Sequence, residues 1–143
     1  IDYFISSDSD KIINLCKKNG FKCDYKRPDK FALDSSSIIP TVLDGIKWLE
    51  KHKKKTYDIL VLLQPTNPIR YSKEFNKILS YYKLNQLKSL ISVTKVIQHP
   101  NDCIELINKK WNFIKKPKKI HSGRQQYSNN FFYIDGTYYI SNV

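Results

Sequence analysis

Only three of the twenty-five basic residues in this chain are arginines, and each sits in a compact polar pattern. Arg27 precedes Pro28, Arg70 closes Gln64-Pro65-Thr66-Asn67-Pro68-Ile69-Arg70, and Arg124 heads Arg124-Gln125-Gln126. A guanidinium fork matches phosphate or carboxylate oxygens two at a time, which a lysine ammonium does not. Each arginine therefore either meets a ligand oxyanion or pairs with a nearby carboxylate. Gln64 offers an amide donor and an amide acceptor at the head of a turn stiffened by Pro65 and Pro68. The turn is also readable as a plain strand-to-helix connection. Ser6-Ser7-Asp8 forms a further polar cluster. His99, before Pro100, and His121, near Arg124, are candidate ligands, whereas His52 lies in a lysine run.

Several other chemistries have no support. The chain contains no Gly-x-x-x-x-Gly-Lys phosphate loop, no Gly-x-Gly-x-x-Gly and no His-Glu-x-x-His, and it has only four glycines. Cys16, Cys23 and Cys103 follow no metal-ligand spacing and leave an odd thiol, which fits a reducing, cytoplasmic setting. No apolar run is long enough to cross a bilayer, so no membrane association is expected. The net charge of +12 comes largely from lysines bunched at 51–55 and 109–119. Such runs are solvated faces or sites of long-range anion attraction. A non-catalytic nucleic-acid-binding domain would need basic residues interleaved with exposed aromatics, and the aromatics here fall in strand-like segments, so no nucleic-acid partner is expected.

The elements that must position these residues follow from changes of period. Tyr3 to Ser7 reads as a strand, Asp8 to Lys18 as a helix stopped by Asn19-Gly20, and Phe21 to Lys26 as a second strand. Ser35, Ser36 or Ser37 can cap the next helix. Pro40 is tolerated in its opening turn, and Ile39, Val42, Leu43, Ile46 and Leu49 form one face. Ile59 to Leu63 is fully apolar, as in a strand covered on both sides. A helix over Lys73 to Tyr82 and a strand over Ser89 to Ile97 complete a β-α-β-α-β-α-β order, which predicts a mostly parallel sheet. Beyond His99 the rhythm changes to short strands around Asn108-Lys109-Lys110, a lysine-rich loop, and an aromatic strand over Phe131 to Ile140. These read as an irregular β extension, a flap or a subunit contact. In open α/β sheets ligands gather at the carboxyl ends of strands, where Ser6-Ser7-Asp8, Arg27-Pro28 and Gln64-Pro65-Thr66-Asn67 fall. With no methionine and an apolar residue at each end, the chain is expected to be one domain belonging to a longer protein.

Taken in order, a set of segments carries a resemblance that periodicity does not supply. They are Ile5-Ser6-Ser7-Asp8-Ser9, Arg27-Pro28 with Asp34-Ser35-Ser36-Ser37, Leu62-Leu63-Gln64-Pro65-Thr66-Asn67-Pro68-Ile69-Arg70, Ser92-Val93-Thr94 with His99-Pro100, and Arg124-Gln125-Gln126 with Asp135-Gly136 and Tyr139-Ile140. Together they resemble the acylneuraminate cytidylyltransferases, the CMP-N-acetylneuraminic acid synthetases, over nearly the whole chain.

The resemblance implies a three-layer, Rossmann-like nucleotidyltransferase fold of the nucleotide-diphospho-sugar transferase type, with a mostly parallel sheet and a β extension over 99–134 that serves as a flap or a dimer contact. It implies transfer of a cytidylyl group from CTP to the anomeric oxygen of a nine-carbon 2-keto sugar acid, with magnesium and release of pyrophosphate, in cell-surface polysaccharide biosynthesis. It also implies a homodimer, with Tyr133, Tyr138 and Tyr139 as candidate contacts. Carried over by position, Arg27 and Gln64 resemble nucleotide-side residues, while Arg124, Gln125 and Asp135 fall on the sugar-acid side.

The departures are specific. Nothing here matches the family's glycine-rich triphosphate loop or its distal Asp-x-Asp metal site, so no metal ligand or catalytic residue is assigned and the chain alone is expected to be inactive. Ile38 stands where many relatives have serine, and Asp135-Gly136 where sialic acid enzymes show Asn-Gly. Both point toward a related acceptor such as a legionaminic-type sugar. A 3-deoxy-manno-octulosonate cytidylyltransferase is the enzyme alternative.

Overall fold

In the computed structural model, which describes residues 1–114 and 130–143, Ser9 is where the first polar cluster turns into a helix. Its hydroxyl accepts from Ile12 N and opens α1, Asp10–Lys18, which carries Asp10 in the first turn and Lys17 and Lys18 in the last. That order complements the helix dipole. α2, Ile38–Lys53, follows Ser37 with Pro40 inside its opening turn, as expected, and ends at Lys54 in the left-handed region (φ 52°). Its buried face is Thr41, Gly45, Ile46 and Leu49, whereas Ile39 and Leu43 are exposed. The expected face is thus rotated toward the smaller residues. The reason is Phe4: its ring packs so closely on Gly45 that a Cβ there would lie 2.3 Å from Phe4 Cε2. Phe4 meets Tyr25 edge-on at 5.5 Å, and Tyr25 meets Trp48 at 5.4 Å. These contacts, with buried Ile13 and Cys23, form the core of the unit Ile1–Tyr57.

The strands expected over Tyr3 to Ser7 and Phe21 to Lys26 do not form in this unit. The two segments are joined by Arg27 N donating to Ser7 O at 2.9 Å and by side-chain bonds such as Lys22 N to the Tyr3 hydroxyl. These do not make a ladder.

The unit Asp58–Val143 holds β1 (Ile59–Leu62), α3 (Ser72–Leu84), β2 (Ser89–Lys95), β3 (Ile104–Ile107), β4 (Lys110–Phe113) and β5 (Phe132–Asn142). Here the expectation of a mostly parallel Rossmann-like sheet is overturned. The described strands form two small antiparallel sheets, one ordered β1-β5-β2 and the other a β3-β4 hairpin. β1 and β2 run the same way on either side of α3, as a crossover requires, but β5 lies between them and pairs antiparallel with both. The aromatic segment read as part of an extension is therefore the central strand. Ile140 is its most buried member, opposite Val61 on one side and Leu90 on the other. β1 is half-buried rather than enclosed. From α3, Phe75 packs against Tyr138, and the buried Tyr82 hydroxyl lies 2.7 Å from Asn142 Oδ1 and 3.0 Å from Lys88 O.

The hairpin follows its sequence closely. Asn108 and Lys109 both take positive φ, 50° and 64°, the backbone that a two-residue turn between twisted strands demands. Cross-strand pairs Ile104–Phe113 and Leu106–Trp111 share one apolar face, all four residues exposed. Among the described residues no helix is long and apolar enough to cross a membrane.

Candidate functional site

Between Ile91 and Val93 of β2 the register with β5 jumps from Tyr139 to Ile134, so Ser92 alone faces Asp135–Tyr138. Such a bulge breaks the ladder and leaves backbone groups to be satisfied by other means. Here the substitutes are side chains. Ser92 Oγ donates to Asp135 Oδ1 and accepts from Tyr138 N at 2.9 Å. Thr94 Oγ1 donates to Asp135 Oδ2 at 2.7 Å, and Thr137 N donates to Asp135 Oδ1 at 2.9 Å. The donors of Ser92, then of the Thr137 backbone, then of Thr94, hold the Asp135 carboxyl well below the usual aspartate range. Gly136 completes the bulge with φ +75°, open to glycine at little cost.

The turn after β1 is fastened to this bulge. Asn67 Nδ2 donates to Thr137 Oγ1, Arg70 Nε donates to Thr137 O at 2.9 Å, and Arg70 Nη2 donates to Gln64 O at 2.8 Å. Gln64 itself is half-buried, and its Oε1 comes within 3.0 Å of the point a Cβ on Gly136 would occupy. Among the described residues no partner takes the Gln64 side-chain amide in a hydrogen bond. A polar group kept at a crowded glycine without a partner is suited to meet a ligand.

The other sequence-derived candidates divide by location. Arg27 belongs to the first unit, where its Nη2 forms an ion pair with Asp8 Oδ1, and its hydrogen bond holds the Asp8 carboxyl below the ordinary range. Arg27 Nε is buried without a hydrogen-bond partner among the described residues. Gln64 and Asp135 both lie in the second unit, Gln64 against Gly136 and Asp135 next to that glycine in the chain. Arg124, Gln125 and His121 lie outside the described residues. Sequence reasoning assigned no role to Ser92, Thr94, Asn67 or Thr137. The available signal was Ser92 and Thr94 two apart in an otherwise apolar strand, which places two hydroxyls on one face. Among the described residues no group of three or more His, Cys, Asp or Glu could hold a metal ion.

No protein-family profile matches the chain. It is 26% identical over 139 residues to the CMP-N,N'-diacetyllegionaminic acid synthase of Legionella pneumophila, an alignment covering 96% of this chain and 58% of that protein. It is 29% identical over 96 residues to the post-translational flagellin modification protein B of Campylobacter coli, covering 67% of this chain and 41% of that one. It is 25% identical over 141 residues to an N-acylneuraminate cytidylyltransferase of Streptococcus agalactiae, covering 99% of this chain and 32% of the relative. The chain thus spans between 32% and 58% of the length of these relatives. At 25 to 26% identity, it shares weak, partial homology with proteins of the acylneuraminate cytidylyltransferase and CMP-legionaminic acid synthase kind.

Proposed function

We propose that this chain takes part in transferring a cytidylyl group from CTP to a nine-carbon 2-keto sugar acid of the sialic or legionaminic kind. The products are the CMP-sugar and pyrophosphate. The observation that carries this reading is the alignment of proteins named for that chemistry over 96% and 99% of the chain. The Gln64 amide, without a hydrogen-bond partner among the described residues and beside Gly136, agrees with it, because a pyrimidine base presents both donors and acceptors to an amide.

In this reading Gln64 and Arg27 serve the nucleotide side, and Arg124 and Gln125 the sugar acid, where a guanidinium fork suits a carboxylate. Asp135 contributes on the sugar-acid side by fixing the bulge, since its carboxylate already accepts three hydrogen bonds and would repel an acidic acceptor. Magnesium, which neutralises phosphate charge when bound, finds no ligand set among the described residues. What these residues supply is binding and orientation: an amide held for a base, and a bulge held rigid beside it. We further propose a homodimer in which the apolar face of the β3-β4 hairpin is covered by a second copy.

Pyrophosphate release and CMP-sugar formation, measured on the product of the complete reading frame with CTP, magnesium and a panel of nine-carbon and eight-carbon sugar acids, test the assignment. Turnover with a nine-carbon acid and CTP is the expected result. Turnover only with 3-deoxy-manno-octulosonate, or none with any acid, overturns it.

A further inference from the structure

The segment Gln64–Arg70 has to leave β1, turn, and enter α3 while holding the Gln64 side chain against Gly136. Pro65 and Pro68 fix two backbone angles, but prolines donate no hydrogen bonds and cannot tie the turn to its neighbours. Arg70 supplies that tie. Nη2 grips Gln64 O at one end of the turn, Nε grips Thr137 O on β5, and the guanidinium carbon lies 5.8 Å from the Tyr138 ring centroid. Among the described residues Arg70 forms no ion pair, so its two directed donors go to backbone carbonyls of two different segments. Asn67 adds a second tie from the middle of the turn to Thr137 Oγ1. Its own backbone N–H donates to Gln64 O at 3.4 Å, one more contact holding that carbonyl in place.

A guanidinium is rigid and presents its donors in fixed directions, so it can set the distance between two carbonyls; an ammonium cannot. We propose that Arg70 is a positioning residue for Gln64, bracketing the turn to the β5 bulge so that the Gln64 amide is held over Gly136 toward the nucleotide. The proposal rests on the nucleotide-side reading of Gln64 given above. It separates Arg70 from Arg27 and Arg124: those two are read as meeting the nucleotide and the sugar acid themselves, whereas Arg70 acts through another side chain.

A merely structural arginine and a positioning one differ in how their loss combines with the loss of Gln64. The test is a double-mutant cycle in the product of the complete reading frame, with Gln64→Ala, Arg70→Lys and the pair together, reading kcat/KM for CTP and for the sugar acid. Arg70→Ala belongs in the set, and Arg70→Lys, which keeps the charge, holds the test open if the alanine variant fails to fold by circular dichroism. Arg70→Lys is expected to lower kcat/KM for CTP about 10-fold, within the range for a lost hydrogen bond to a ligand, and to add less than about 2-fold in the Gln64→Ala background. A parallel measurement needs no turnover: the Gln64 side-chain amide signal in protein labelled with ¹⁵N-glutamine, with and without CTP. Arg70→Lys should shift and broaden that signal. Effects that multiply in the double variant, or a Gln64 signal unmoved by Arg70→Lys, overturn the positioning role. A wild-type Gln64 signal that ignores CTP overturns the nucleotide reading instead, and the displacement caused by Arg70→Lys then still decides whether the bracket exists.

Discussion

Asp135 shows how a single carboxylate can be committed to architecture. Its donors are two hydroxyls and a backbone N–H, and they favour the charged form strongly enough to depress its pKa. A group whose folded pKa lies below its unfolded value stabilises the protein fully above the unfolded value and loses that stabilisation as pH falls toward the folded one. Asp135→Asn should therefore lower the melting temperature at pH 7, and the gap from wild type should narrow only below the ordinary aspartate value. Thermal melts across an acid series check this, and a gap independent of pH would contradict it. Tyr138 makes the opposite case. Its hydroxyl is buried without a hydrogen-bond partner among the described residues, while its ring packs on Phe75. Removing a buried group that has no partner costs little or helps, so Tyr138→Phe should change stability by less than about 0.5 kcal/mol or raise it. A denaturant titration showing a loss beyond about 1.5 kcal/mol, the upper end of an ordinary net hydrogen bond, would mean that the hydroxyl has a partner after all.

At the scale of elements, Gly45 is the position where α2 accepts the Phe4 ring. A methyl group there would overlap an aromatic edge rather than a flexible tip, so Gly45→Ala should destabilise the first unit by about 1 to 3 kcal/mol despite alanine's better helix propensity. Equilibrium unfolding followed by tryptophan emission, with Trp48 in the same cluster, measures it, and a stabilised variant would be the contrary result. The helices themselves were legible from sequence because period and breakers are local: Pro40 and the Asn19-Gly20 stop sit where the chain needs them, whereas the first helix starts at Asp10 behind a Ser9 cap rather than at Asp8. The Asn108-Lys109 turn was legible for the same reason. What the sequence concealed was pairing. Nothing in Phe131 to Ile140 says that it will lie between two strands rather than beside one, and a parallel order inferred from β-α-β alternation missed the insertion. The Gln64 turn was visible in the sequence as a rigid polar turn after an apolar strand, but its support was not, since Ser92–Asp135 and Arg70–Thr137 join residues far apart in the chain across a bulge that no local pattern announces.

For the whole molecule, the hairpin face of Ile104, Leu106, Trp111 and Phe113 bears on assembly. Two short strands with an uncovered apolar face are marginal alone, and a second copy related by two-fold symmetry would cover both faces at once. Trp111→Ser should therefore shift the product of the complete reading frame from dimer toward monomer in sedimentation at micromolar concentration. A wild-type monomer, or a variant that remains dimeric, would remove the hairpin from the contact. The position of β5 has a consequence of another kind. Its partners on β1 lie roughly eighty residues earlier in the chain, so the closing of this sheet is a long-range event of the sort that slows folding. During synthesis at about 5 to 20 residues per second, β1, α3 and β2 leave the ribosome several seconds before the strand that joins them. Through that interval the edges of β1 and β2 are open to other chains, and a nascent chain halted before residue 132 would carry the turn of Gln64 without the strand that fixes it.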